Sequence, residues 1–209
     1  MSSQKTGRGK DKLTGFARVE RFHPYKTFMF FGLVGSAILF LALMLLYVIR
    51  VSSIPETAEV RLPNAFFVST IVMLFSSYGL SKTQRAFHND NMRELSYALT
   101  ATLVFALIFC TLQAIGWYQL YKAGFFINSK SGIGFLYMIT GLHMVHVIAG
   151  VIFLVSCLLP VYNGSGDMVK ALIFFSDRYQ QTKIELLNIY WHYVDFLWLC
   201  LFLMFLFTV

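Results

Sequence analysis

Charge is what this sequence of 209 residues has least of: Asp, Glu, Lys and Arg make up 13% of it, against 57% hydrophobic residues. A soluble domain of this size usually carries about 25% charged residues. The shortfall, with a mean hydropathy of +0.65, excludes an ordinary water-facing surface and makes lipid the solvent. The three cysteines, Cys110, Cys157 and Cys200, fall inside apolar runs and form no C-x-x-C pair; they behave as small apolar residues and say nothing of redox compartment. No glycine-rich phosphate loop follows a strand, no Ser-His-Asp set lies in an aqueous pocket, and no internal repeat is visible. The first apolar run exceeds a secretory h-region and has no small-residue cleavage site behind it, so it reads as a signal anchor.

What is present is aromatic and apolar: 22 Phe, 11 Tyr and 3 Trp, and five stretches near the length of about 20 residues that a span requires. These run over Phe28–Ile49, Asn64–Leu80, Ser96–Tyr121, Gly132–Leu159 and Ile184–Phe207. The expected fold is all-α, a polytopic integral membrane bundle of five transmembrane helices. Residues 1–26 form a basic, partly disordered leader and 27–209 the bundle. The polar loop Ser81–Glu94 is helix-compatible and extends the second and third spans. Tyr162-Asn-Gly-Ser-Gly-Asp167 breaks the helix after the fourth span. Beyond it, Met168–Phe175 reads as an amphipathic turn along the interface, with Lys170 and Arg178 as candidates for lipid head groups. Trp117, Tyr118 and Tyr121 form an aromatic anchor at the outer end of the third span. Gly32 with Ser36, and Gly141, permit close helix approach.

The net charge of +7 is topological. With the amino terminus in the cytoplasm, Lys5, Arg8, Lys10, Lys12, Arg18, Arg21, Lys26, Lys82, Arg85, Arg93, Lys170, Arg178 and Lys183 fall on one side. Arg50, Arg61, Lys122 and Lys130 fall on the other. That asymmetry follows the positive-inside rule for a cytoplasmic amino terminus and an external carboxy terminus, and it argues against nucleic acid as a partner.

Ionisable residues inside the last two spans carry the most information. His143 and His146 share a face of the fourth span; Glu185, Asn188 and His192 share a face of the fifth, with Asp195 on its edge. An ionised Asp at mid-membrane costs about 2.5–3.5 kcal/mol on insertion scales, so such groups face protein or water and find partners. The antiparallel fourth and fifth spans are expected to meet along a polar seam, with His146 paired to Asp195 by depth. Four roles are open to this seam: interhelical hydrogen bonding, a lipid or subunit contact, haem ligation by two histidines as in a b-type cytochrome, or a non-haem metal site. The metal reading lacks ligands, since the remaining histidines, His23 and His88, lie at the cytoplasmic surface.

These residues also carry a resemblance. Phe135-Leu-Tyr-Met-Ile-Thr-Gly-Leu-His-Met-Val-His-Val-Ile-Ala-Gly150 looks like the F-Y-x-x-T-G-x-H-x-x-H-V-x-x-G segment of subunit III of the haem-copper terminal oxidases. Glu185 followed by Tyr190-Trp-His-Tyr-Val-Asp-Phe-Leu-Trp198 is similar to that family's last helix, E-x5-W-H-F-V-D-x-x-W. Leu62-Pro-Asn64, Ser76-Ser77 and Leu112-Gln-Ala-Ile-Gly-Trp117 resemble weaker family features. Five spans match the shorter bacterial form; the mitochondrial form has seven.

The resemblance implies a non-catalytic subunit of a bacterial aa3-type cytochrome c oxidase in the cytoplasmic membrane. Haem and copper would lie in partner subunits and none in this chain. Its partners would be subunit I, with subunit II, subunit IV and a larger respiratory supercomplex, and it would bind structural phospholipid. It gives His143, His146, Glu185, Trp191, His192 and Asp195 structural or lipid-facing roles and leaves no catalytic or metal-binding residue. Related alternatives are subunit III of a quinol oxidase and the accessory subunit of nitric oxide reductase. The family usually carries a carboxylate midway along the helix corresponding to the first span. Ser36 aligns there, and Phe28–Ile49 contains no Asp or Glu.

Overall fold

The computed structural model describes residues 24–52, 62–125, 133–164 and 166–208. The leader up to residue 23, with its basic residues, lies outside the described residues, as do Arg61 and Lys130. The described residues form six helices: α1 (Pro24–Ser52), α2 (Asn64–His88), α3 (Met92–Lys122), α4 (Ile133–Gly164), α5 (Met168–Ser176) and α6 (Arg178–Thr208). All but α5 are long and apolar enough to cross a membrane. At about 1.5 Å per residue, even the 25 residues of α2 exceed the hydrocarbon thickness of about 30 Å. The chain is therefore a five-span, all-helical membrane protein.

Helix ends follow local chemistry. The α2–α3 hairpin turns on Asn89 and Asp90; Asp90 has a φ of 52°, a left-handed conformation that Asp tolerates better than most residues. Asn91 then caps α3: its Oδ1 accepts from Glu94 N–H at 3.2 Å and its Nδ2 donates to Glu94 Oε2 at 3.4 Å, a polar clasp of the capping-box kind. Gly124, at φ 84°, ends α3, with Phe125 N–H donating back to Leu120 C=O at 3.2 Å. Asp167 caps α5 through Val169 N–H at 3.0 Å. The expected extension of the second and third spans through the polar loop is present, as is the break before Asp167.

Within the bundle α2 and α3 pack along their length, α3 lies against α4, and α6 touches α1, α2, α4 and α5. Consequently α6 is the most buried span and α1 the least. Two apolar clusters fill the interior. One gathers Phe40, Phe66, Phe109, Ile139, Trp198 and Leu201; the other gathers Leu80, Leu95, Leu99, Leu154, Val161 and Leu187. Bulky side chains and one small residue set the spacing at two crossings. A Cβ on Gly116 would meet Phe66 Cε1 at 2.9 Å, and one on Gly150 would meet Tyr190 Cε1 at 3.0 Å and Trp191 Cζ3 at 3.2 Å. Gly32 and Gly141, expected to mark close approach, have nothing within 4 Å of such a Cβ. The tight contacts lie elsewhere because they need a large partner opposite, which the glycine itself does not announce.

Pro160 sits inside α4. Lacking an N–H, it cannot bond the carbonyl four residues back, that of Ser156. In a bilayer such a freed carbonyl needs another donor, and the Lys183 ammonium on α6 supplies it at 2.8 Å.

Candidate functional site

The polar side chains of α6 form three sets of bonds, one to each long neighbour. Toward α2, Asn188 Nδ2 donates to Thr83 Oγ1 at 2.9 Å, Trp191 Nε1 to Ser76 Oγ at 3.2 Å and Trp198 Nε1 to Thr70 Oγ1 at 3.0 Å. Residue numbers rise on α6 as they fall on α2, as antiparallel neighbours require. Thr83 and Thr70 in turn donate their hydroxyl protons to Leu80 C=O and Phe66 C=O of their own helix, at 2.7 and 2.8 Å. Each hydroxyl thus has both its donor and an acceptor lone pair used. Interhelical bonds of this kind contribute about 0.6–1.7 kcal/mol each in a bilayer, so the ladder fixes rotation and register more than it adds bulk stability. His192 extends it outward, its Nδ1 lying 2.8 Å from Ser77 Oγ.

Toward α4, His143 is buried between the rings of Trp198 (centroids 5.0 Å) and Phe109 (6.0 Å). Its Nε2 lies 3.2 Å from Val194 C=O; a carbonyl only accepts, so Nε2 carries the proton and donates. Tyr190 O–H donates to His146 C=O at 2.9 Å. Toward α1, Lys26 Nζ meets Glu185 Oε2 at 2.6 Å, while Gln181 Nε2 donates to the other carboxylate oxygen at 3.1 Å. The Ser36 and Tyr193 hydroxyls lie 2.7 Å apart.

The expected seam between the fourth and fifth spans is therefore divided among three interfaces. His146 does not pair with Asp195. Its Nδ1 donates to Leu142 C=O of its own helix at 2.9 Å, and its ring stands edge-on to Phe40 of α1 at 5.2 Å. Asp195 is buried, and among the described residues no donor lies within hydrogen-bonding geometry of its carboxyl oxygens; Ser77 lies beside it, with its hydroxyl engaged by His192. The reason is rotational. The His146 ring is turned toward Phe40 of α1 and Asp195 lies beside Ser77 of α2, so depth alone does not bring carboxyl and imidazole together. Among the described residues no three His, Cys, Asp or Glu side chains gather as metal ligands would.

Sequence reasoning overlooked the acceptors on α2 as a set. Ser69, Thr70, Ser76 and Thr83 are buried, and their recurrence on one face of an apolar helix was the signal. Lys183, read there as a topological charge, holds the Ser156 carbonyl. Lys170 and Arg178 are exposed at the corner where α4, α5 and α6 meet; Lys170 Nζ lies 3.7 Å from Asp167 Oδ2. Around them α5 presents Met168, Val169, Leu172 and Ile173 outward.

The polar atoms of this network join one helix to the next. The sequence profile described as cytochrome c oxidase subunit III matches residues 27–208. The chain belongs to that family. Among curated relatives it is 30% identical over 136 residues to a probable cytochrome c oxidase subunit 3 of Rickettsia felis, covering 65% of this chain and 45% of that protein. The cytochrome c oxidase subunit 3 of Arabidopsis thaliana is likewise 30% identical over 136 residues, 65% of this chain and 46% of that one. The chain thus spans just under half the length of these relatives. The cytochrome bo(3) ubiquinol oxidase subunit 3 of Buchnera aphidicola is 24% identical over 173 residues, 81% of this chain and 84% of its own length. Five apolar helices make this member of the family a multi-pass membrane protein.

Proposed function

We propose that this chain is the non-catalytic subunit III of a bacterial aa3-type cytochrome c oxidase. It would sit in the cytoplasmic membrane with its amino terminus inside, bound to subunit I and without haem or copper of its own. The observation that carries the reading is the family match across nearly the whole bundle, joined to a polar network whose histidines face three different interfaces. His143, His146, Glu185, Trp191 and His192 then act by holding α1, α2 and α4 around α6, and Asp195 lies within the same packing. Bound phospholipid fits the apolar groove of about 490 Å³ between α1 and α6, lined by Met29, Phe30, Leu33, Leu186 and Ile189 with Lys26 at its end. Lys170 and Arg178 offer charge to head groups at the opposite corner.

The relative of similar length supports a second reading, subunit III of a quinol oxidase, because it aligns over most of both chains. Electron donors bind other subunits, so the two readings differ in the partners and not in this chain's own site. The test is purification from the native membrane through a tag on this chain. A haem–copper oxidase should co-purify, and oxidation of reduced cytochrome c or of quinol by that complex decides between the two readings. Metal analysis of the chain freed of its partners should give iron and copper well below one per chain. Stoichiometric iron in the isolated chain, with a Soret band, would replace the proposal by a b-type cytochrome.

A further inference from the structure

The outward stripe of α6 runs through Ile189, His192 and Phe196, all exposed on the bundle surface, with Ile189 51% and Phe196 65% accessible. His192 is the polar member of this stripe. Its Nδ1 is taken by Ser77, and among the described residues no hydrogen bond reaches its Nε2. Fourteen residues separate it from Arg178 and sixteen from Thr208, the ends of α6, so it lies about 21 Å from one end and about 24 Å from the other. That puts it near the centre of a hydrocarbon layer about 30 Å thick. Lipid head groups stop some 15 Å short of that depth, and an imidazole, unlike Lys or Arg, has no long stem with which to reach them. Acyl chains offer the ring nitrogen nothing, and an unbonded polar group in hydrocarbon costs several kcal/mol. The partner it requires is protein.

We infer that the Ile189–His192–Phe196 stripe is a docking face for a transmembrane helix of another oxidase subunit, one that presents a hydrogen-bonding side chain or a free backbone carbonyl to His192 Nε2 at mid-bilayer depth. Ile189 and Phe196 flank the imidazole one turn to either side and supply the apolar contact that excludes lipid around the bond. The inference rests on the subunit III reading, and membership of that family makes a different subunit, not a second copy, the neighbour to expect. The Ser77 bond holds the ring on α2 and leaves Nε2 directed away from it, so His192 joins the ladder inside the chain to the complex outside it.

The test uses the whole complex in native membranes. A benzophenone amino acid placed at Phe196, which lies outside the α1–α6 groove, should form light-dependent adducts with a different subunit. Adducts with a second copy of this chain, or with lipid alone, would overturn the docking face. Two substitutions then separate the ring nitrogens. His192→Asn retains a polar atom near the position of Nδ1 and can keep Ser77; His192→Gln retains one near the position of Nε2. Retention of this chain in the complex during detergent washing should fall roughly 3- to 18-fold with Asn, the range of one interhelical bond, and stay near wild type with Gln. Equal effects, or the reverse order, would show that the ring serves Ser77 alone. If the Asn variant fails to assemble, the adducts, which retain the native His192, still decide. A complex without any haem–copper oxidase would overturn the functional reading, whereas an oxidase complex without the expected adducts would overturn the docking face only.

Discussion

Lys183→Met should destabilise the bundle, and Pro160→Ala should remove that effect. The lysine ammonium donates to Ser156 C=O at 2.8 Å, on the carbonyl that Pro160 leaves without its helical donor. Hydrogen bonds to charged groups contribute about 1.5–3 kcal/mol. Both residues are half-buried, and solvent competition near the helix ends lowers this to about 1–2 kcal/mol. In the Pro160→Ala background a backbone N–H returns to Ser156 C=O, so the lysine becomes redundant. The double-mutant cycle should give a coupling of about 1–2 kcal/mol, well above the few tenths expected of independent sites. The assay is unfolding in mixed micelles with a rising fraction of denaturing detergent, followed by helical circular dichroism. Lys170→Met, which removes a like charge from exposed α5, serves as the control. Equal losses from Lys183→Met in the Pro160 and Pro160→Ala backgrounds would refute the reasoning, because they would show that the lysine acts as charge and not as donor.

Gly150→Val should cost about 1–3 kcal/mol in the same assay, since its Cβ would press on Tyr190 at 3.0 Å and Trp191 at 3.2 Å, while Gly141→Ala, with nothing within 4 Å, should be neutral. Asp195→Leu should change stability by no more than about 1 kcal/mol, because the Ser77 hydroxyl beside the carboxyl keeps His192 as its partner; a loss of 3 kcal/mol or more would show a bonded partner. A cysteine replacing Ala123, exposed just beyond α3, should react with an impermeant reagent added outside intact cells. One replacing Gly166, beside α5, should react only after lysis, and the reverse pattern would invert the topology.

The spans, the α2–α3 extension and the break before α5 were legible in the sequence because each depends on local quantities: apolar length, a polar helix-compatible loop, a run of turn residues. The placing of Glu185, Asn188 and His192 on one face of a helix, with Asp195 on its edge, has the same basis, since rotation by about 100° per residue is a property of the chain itself. What lies across that side is not. The fourth span was the natural choice as the adjoining long helix, yet α2 provides Thr70, Ser76, Ser77 and Thr83 and so takes most of the bonds. Hydroxyls carry little hydropathy signal, because in a helix they donate to their own backbone and pass as apolar, as Thr70 and Thr83 do. The same limit explains His146. Depth matched it to Asp195, but an imidazole can satisfy one nitrogen on its own preceding turn, as His146 does at Leu142 C=O, and then needs no carboxylate. The first span shows the converse. With no acid between Phe28 and Ile49, its polar contacts to α6 run from Lys26 with Glu185, through Ser36 with Tyr193, to the Tyr47 hydroxyl, which accepts from Thr208 Oγ1 at 3.4 Å. The carboxylate at this interface belongs to α6, so any proton or ion held there is held near the helix end, beside a lysine, and not at mid-membrane.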